Sequence, residues 1–242
     1  METRHPPTSR NHSLLAFYAF FPPMFNDTYR TIAGPAEGLY KEKGSKFLAF
    51  AFPIGSAATK QGRTVTLQEK EEEIKTLLEA KRKEYFDARH HCYAYILGAD
   101  KANFRMNDDG EPSSTAGKPI HGQLLSLNLT DALVIVIRYF GGIKLGVSGL
   151  INAYKTAASD ALGHAEIIEK TIDLRYHVDF QYPQMNDVMR ILKQYDLVPQ
   201  SQQYDMQCSL QFAVRRSLSM KVVDAFINLR TVKIQEVTSL NN

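Results

Sequence analysis

The chain has 242 residues, 44% hydrophobic and 23% charged, with a formal net charge of +3. That balance belongs to a globular protein of one or two domains and excludes bulk disorder, while the mild positive charge permits contact with nucleic acid without requiring it. Cys92 and Cys208 lie far apart in alternating apolar runs, which excludes a disulfide framework or zinc spacing and fits buried thiols of a reducing, cytoplasmic compartment. No run reaches the roughly 18 apolar residues of a membrane span.

Arg4, His5 and Arg10 precede an apolar run from Leu14 to Phe21, superficially like a secretory signal. The run is short and bulky, Pro22-Pro23 follows it, and no small-x-small cleavage site appears. Residues 1–23 read as an upstream extension with Met24 as the natural start, and the fold is expected after residue 26. From Gly38 to Ile54, LYKEK and SKFLAFAFPI form a hairpin about Gly44-Ser45, the second strand apolar on nearly every residue and so covered on both faces. Thr66 opens a helix, with Glu69 at capping-box spacing, acids before bases, and Leu67, Ile74, Leu77, Leu78 and Tyr85 on one face.

HHCYAYILG, His90 to Gly98, is a strand in which His90 and Cys92 share one face and His91 takes the other. The two histidines therefore cannot chelate one ion together, and a small buried thiol explains Cys92 better than an activated thiolate does. A short strand is expected at 103–107, and a helix from Pro119 through Leu124, Leu125 and Leu127. ALVIVI, Ala132 to Ile137, is a central strand. The next helix spans about Ser148 to Leu162, with Leu150, Tyr154, Ala157, Ala158, Ala161 and Leu162 inward and Gly163 as its C-terminal cap.

From Glu169 the pattern changes. Strict alternation through Tyr182, a helix from Pro183 carrying Val188, Ile191, Leu192 and Tyr195, strands near 200–206 and 207–214, a helix 217–229 with Leu218, Val222, Val223 and Phe226 inward, and a strand 232–237 follow. The βαββαβ order reads as a small ferredoxin-like domain. The domain plan is 27–165 and 169–238, with 239–242 as a tail and α+β as the fold class.

Two stretches look functional. Asn107 to Pro119, NDDGEPSSTAGKP, packs three carboxylates, a Ser-Ser-Thr run, two glycines, two prolines and a lysine into thirteen residues, and RYFGGIKLG runs from Arg138 to Gly146. A Walker motif is excluded, because six residues separate Gly110 from Gly117 and a proline follows Lys118. The glycines at 141, 142, 146 and 149 miss the dinucleotide spacing. Glycine-rich turns feeding helix N-termini could accept an anion, with Lys118, Arg138 and Lys144 beside them. Equally, Asp108, Asp109 and Glu111 could satisfy those donors internally. Adjacent aspartates diverge, and no short metal or nucleophile signature is present, so catalysis is the minority reading and no metal or cofactor is expected.

DDGEPSSTAGKPI, HHCYAYILG, RYFGGIKLGVSGLINAY and GSKFLAFAFPI together resemble the signature of the IMPACT/YigZ family, across about Tyr29 to Gly163. The tail resembles the extra domain of bacterial members. The resemblance implies a first domain with the ribosomal protein S5 domain 2-like fold and a second like the last domain of elongation factor G. It also implies an association with translation, the eukaryotic relatives being regulators that bind a partner protein. Ser114 stands where the family usually has Gly; if that position needs a positive φ, serine is strained there. The combined expectation is a non-catalytic protein binding RNA, the ribosome or a translation-factor partner. Its candidate contacts are His91, Asp108, Asp109, Glu111, Ser114, Thr115, Gly117 and Lys118 around the loop, and Arg138, Tyr139, Gly141, Gly142, Lys144 and Gly146 on the turn. The alternative is a metal- or carboxylate-dependent hydrolase of peptidase type, built on the three acids and one of His90 or His91.

Overall fold

The computed structural model describes residues 27–55, 65–204 and 208–237. The reading of residues 1–23 lies outside them. Five strands, β1 (Thr28–Ile32), β2 (Ala36–Glu42), β3 (Ser45–Pro53), β4 (His90–Leu97) and β5 (Asn103–Asn107), precede β6 (Ala132–Tyr139). Three helices are interleaved or follow: α1 (Leu67–Glu84), α2 (Gly117–Ser126) and α3 (Gly146–His164). β2, β3, β6, β4 and β5 form one antiparallel sheet in that order.

The apolar run of β6 takes the central place because both its faces are covered. Val134 and Val136 pack with the residues under α2 and α3, while Leu133, Ile135 and Ile137 pack with Ile74 of α1 and Phe50. Thr66 caps α1 through the expected reciprocal box with Glu69, which satisfies donors that would otherwise be orphaned. Tyr154, Ala157, Ala158, Ala161 and Leu162 are buried as the helical period of α3 requires. Its end differs from expectation: Gly163 lies inside the helix, which runs to His164. The His164 ring bonds the Glu37 carbonyl at 2.8 Å and ties the last turn to β2.

The remaining elements are β7 (Ile167–Thr171), β8 (Asp173–Phe180), a 3-10 turn (Tyr182–Gln184), α4 (Met185–Gln194), β9 (Pro199–Tyr204), β10 (Cys208–Arg215), α5 (Arg216–Ile227) and β11 (Lys233–Glu236). β7 pairs with β1 in a two-stranded ribbon, a partnership across some 140 residues that no local pattern announces. β11, β8, β10 and β9 form a four-stranded antiparallel sheet in that order, with its own apolar cluster around Phe180, Phe212 and Phe226. In α5 the buried face is Ser219, Val222 and Phe226; Leu218, expected inward, stands off that face and is 38% exposed. Leu125 of α2 is likewise exposed. No helix among the described residues is long and apolar enough to cross a membrane.

Candidate functional site

The start of β4, the ends of β5 and β6, and the turn between β2 and β3 lie at one end of the five-stranded sheet, since His90 pairs with Arg138 and Lys46 with Tyr139. The two glycine-bearing stretches extend from that end. Gly141 sits against the hairpin turn so closely that an added Cβ would lie 1.9 Å from the Gly44 carbonyl carbon. Its N–H donates to Ser45 Oγ at 3.1 Å. Gly117 is required by a similar approach, 2.7 Å from an added Cβ to the Asn107 nitrogen.

Each acid of the loop has a separate structural task. Asp108 Oδ1 accepts from the N–H groups of Ala116 at 3.0 Å and Gly117 at 2.8 Å, and Oδ2 accepts from Ser114 at 2.8 Å. Of the two readings left open, an external anion or the loop's own acids, the second holds at the N-terminus of α2: the Asp108 carboxylate supplies the negative charge the helix end favours. Asp109 Oδ1 accepts from Arg82 Nη2 at 2.6 Å, and Oδ2 from the His91 backbone N–H at 2.7 Å. Burial pulls the Asp109 carboxyl upward, but the Arg82 and His91 bonds outweigh it and hold it below its ordinary 3.8.

Glu111 is buried, and Oε1 accepts from Arg138 Nη1 at 2.6 Å and from the Tyr154 hydroxyl at 2.8 Å. The Arg138 guanidinium lies 5.5 Å from the Phe47 ring centroid and 5.6 Å from that of Phe140. Cys92 Sγ donates to the Asp108 carbonyl at 3.0 Å and contacts the Tyr154 hydroxyl at 3.3 Å. Burial pushes the Cys92 thiol and the Tyr154 phenol well up, so both stay protonated. A buried neutral thiol is a poor nucleophile.

His91 is buried, and its Nε2 bonds the Tyr85 carbonyl at 3.1 Å, which makes Nε2 the donor of the neutral ring. Desolvation, then the Arg82 charge, lowers its pKa against the opposing pull of Asp109. His90 faces elsewhere, its Nδ1 2.9 Å from the Asp109 carbonyl. Among the described residues no three His, Cys, Asp or Glu side chains converge in a metal-holding group. Thr115 is buried with its hydroxyl donating to the Pro112 carbonyl at 2.6 Å. Ser114 adopts φ +63°, so that position does demand a left-handed backbone.

The turn residues present a different surface. Lys118, Lys144, Gly142 and Gly146 are exposed, with Phe140 and Ile143 each 57% exposed beside them. Tyr139 donates its hydroxyl to Asp87 Oδ1 at 2.6 Å, which together with burial pushes its pKa up to about 12. α3 begins without a side-chain cap and without an acid in its first turn. Sequence reasoning missed Arg82 and Tyr154 as partners of the loop acids. They sit 27 and 43 residues away from them on α1 and α3, and helical spacing marks Tyr154 only as an inward residue.

Residues 43–162 match the Impact N-terminal domain. The chain is 39% identical over 127 residues to the IMPACT family member YigZ of Escherichia coli, covering 52% of this chain and 62% of that protein. It is 36% identical over 124 residues to YvyE of Bacillus subtilis, covering 51% and 57% respectively, so the chain spans less than two thirds of these two relatives. An IMPACT family member of Haemophilus influenzae is 33% identical over 154 residues, 63% of this chain and 73% of that protein. A crystal structure of a hypothetical protein superposes with a TM-score of 0.62 at 28% identity, covering 89% of this chain and 99% of that one. Each of the four motifs reaches the same end of the five-stranded sheet, where His90 pairs with Arg138 and Gly141 lies against Gly44-Ser45, and the chain belongs to the IMPACT family.

Proposed function

We propose that the protein is a non-catalytic, translation-associated binding protein that contacts RNA, the ribosome or a translation-factor partner through the end of the five-stranded sheet. The observation that carries this reading is the commitment of all three loop acids to the protein's own donors. The loop is thereby a rigid support, and the groups left facing solvent are Lys118, Lys144 and the uncapped start of α3. Such a surface suits phosphate or a polar partner. The hydrolase alternative has no observation in its favour: the acids diverge, and neither histidine joins them in an open site.

The division into domains 27–165 and 169–238 belongs to the same proposal. The S5 domain 2-like assignment of the first is supported by the α+β sheet with helices on both faces. The ferredoxin-like, elongation factor G-like assignment of the second is supported by the strand order β11-β8-β10-β9, in which two βαβ halves interleave.

Co-sedimentation with ribosomes and with RNA across a salt series tests the reading. Binding should weaken with salt, and Lys118→Ala/Lys144→Ala should weaken it further and reduce the log–log salt slope by up to about 2. Indifference of the wild type to salt, together with unchanged binding of the double variant, would overturn the nucleic-acid contact. Metal-dependent peptide turnover would overturn the non-catalytic assignment.

A further inference from the structure

The order of the strands brings cations from distant parts of the chain to one rim. At the sheet end described above, β2, β3, β6, β4 and β5 lie side by side, and each carries an exposed base at or just beyond that end. Lys41 and Lys46 stand on the β2–β3 hairpin with Lys43 in its turn, Lys144 follows β6, Arg89 precedes β4, and Lys118 follows Gly117, which packs against Asn107 at the end of β5. Neighbouring strands are about 4.8 Å apart, so the row spans roughly 19 Å. None of the six enters an ion pair among the described residues. The acids of the rim are engaged elsewhere: the three loop acids hold the donors already described, Glu42 accepts from the Tyr40 hydroxyl at 3.2 Å, and Asp87 accepts from that of Tyr139 at 2.6 Å.

Two further observations point to what the row meets. Lys41 and Lys46 are direct cross-strand partners. Like charges set opposite each other on one face of a strand pair repel, so the hairpin holds a cation pair that an external anion would relieve. The second observation is aromatic. Asp87 and Tyr139 are hydrogen-bonded, which brings their chain neighbours Phe86 and Phe140 to the surface beside the central strand β6. Phe86 is 82% exposed and Phe140 57%, so neither ring contributes much to a core.

We propose that this rim binds single-stranded nucleic acid, its phosphates following the row of Lys and Arg and its unstacked bases lying on Phe86 and Phe140. A polymer with one charge and one flat ring in every unit answers both features together. A duplex answers only the first, because its bases are stacked on one another. An acidic polypeptide also answers only the first, since the negative faces of the two rings repel its carboxylates. A second copy of this chain would set the cationic row against itself about a twofold axis. The inference deepens the proposed function and rests on it for the choice of surface, but it adds residues that function does not require: Phe86 and Phe140.

The test is fluorescence anisotropy of the full-length protein with a labelled oligouridine of about twelve nucleotides across a salt series. An abasic oligomer with the same number of phosphates, an RNA duplex of the same length and oligoglutamate are the comparators. Phe86→Leu/Phe140→Leu keeps the apolar bulk and removes the π-faces. It should weaken oligouridine roughly tenfold or more, leave the abasic oligomer and the duplex unchanged, and not alter the salt slope. Lys41→Gln/Lys46→Gln removes the cross-strand repulsion, so it should unfold at no lower temperature than wild type, yet it should weaken oligouridine and the abasic oligomer alike and reduce the log–log salt slope by about 1.4. Full oligouridine affinity in the leucine variant, or an equal loss on the abasic oligomer, would overturn the stacking inference while a lysine-dependent phosphate contact kept the proposed function standing. Displacement of oligouridine by oligoglutamate at equal charge would also overturn it, giving the rim to an acidic polypeptide. Failure to bind any of these probes, by a protein that still co-sediments with ribosomes, would overturn this inference alone; loss of ribosome binding as well would overturn both.

Discussion

Replacing Asp108 by alanine removes one carboxylate that accepts three backbone N–H bonds, from Ser114, Ala116 and Gly117, at 2.8–3.0 Å. Such a bond to an ionised acceptor contributes about 1 kcal/mol or somewhat more. Water can reach part of the vacated space, because Asp108 is only half-buried, so the sum should be discounted. The expected loss is about 2–4 kcal/mol. Asp108→Asn keeps an acceptor for the Ala116 and Gly117 donors, but it loses the charge and turns an NH₂ group toward the Ser114 N–H. About half of the alanine loss is expected for it. Urea unfolding followed by circular dichroism reads both values, provided the m-value is unchanged. An alanine variant within about 0.5 kcal/mol of wild type would refute the reasoning, because the carboxylate would then be no anchor of the loop.

Ser114→Gly should stabilise the protein by about 0.5–1 kcal/mol. It relieves a left-handed residue at φ +63°, and glycine's extra freedom in the unfolded chain offsets part of the gain; thermal unfolding checks it. Arg138→Met alone should cost about 3–5 kcal/mol by stranding buried Glu111, while Arg138→Met/Glu111→Gln should recover much of that loss. The two unfolding curves compared in one double-mutant cycle decide the point. His91 has a pKa below its ordinary 6.5 in the folded protein, so the unfolded chain binds the extra proton. The stability this contributes is present above about pH 6.5 and is lost as the pH falls from there toward the folded pKa. Stability measured from pH 7.5 to 5 should therefore decline, and His91→Gln should make the decline shallower.

Much of the fold was legible because local chemistry and global placement agree. Thr66 and Glu69 announce the start of α1 by spacing alone, and the β-branched run of β6 can be satisfied only between two covered faces. The β1–β7 ribbon was not legible: its strands are five residues each and meet from opposite ends of the first 171 residues. Gly163 misled for a related reason. A glycine after an apolar stripe signals a cap, but His164 reaches the β2 edge and extends the helix by a long-range bond. The loop Asn107 to Pro119 shows the limit most clearly. Its composition marked it as special without saying whether its acids face outward to a ligand or inward to the chain. That choice depends on Arg82, Arg138 and Tyr154 arriving from three other elements, and on the carboxylate of Asp108 reaching the helix end eight and nine residues ahead. With those donors engaged, the acids shape the surface, and the groups left exposed around it are cations and apolar side chains such as Lys118, Lys144, Phe140 and Ile143.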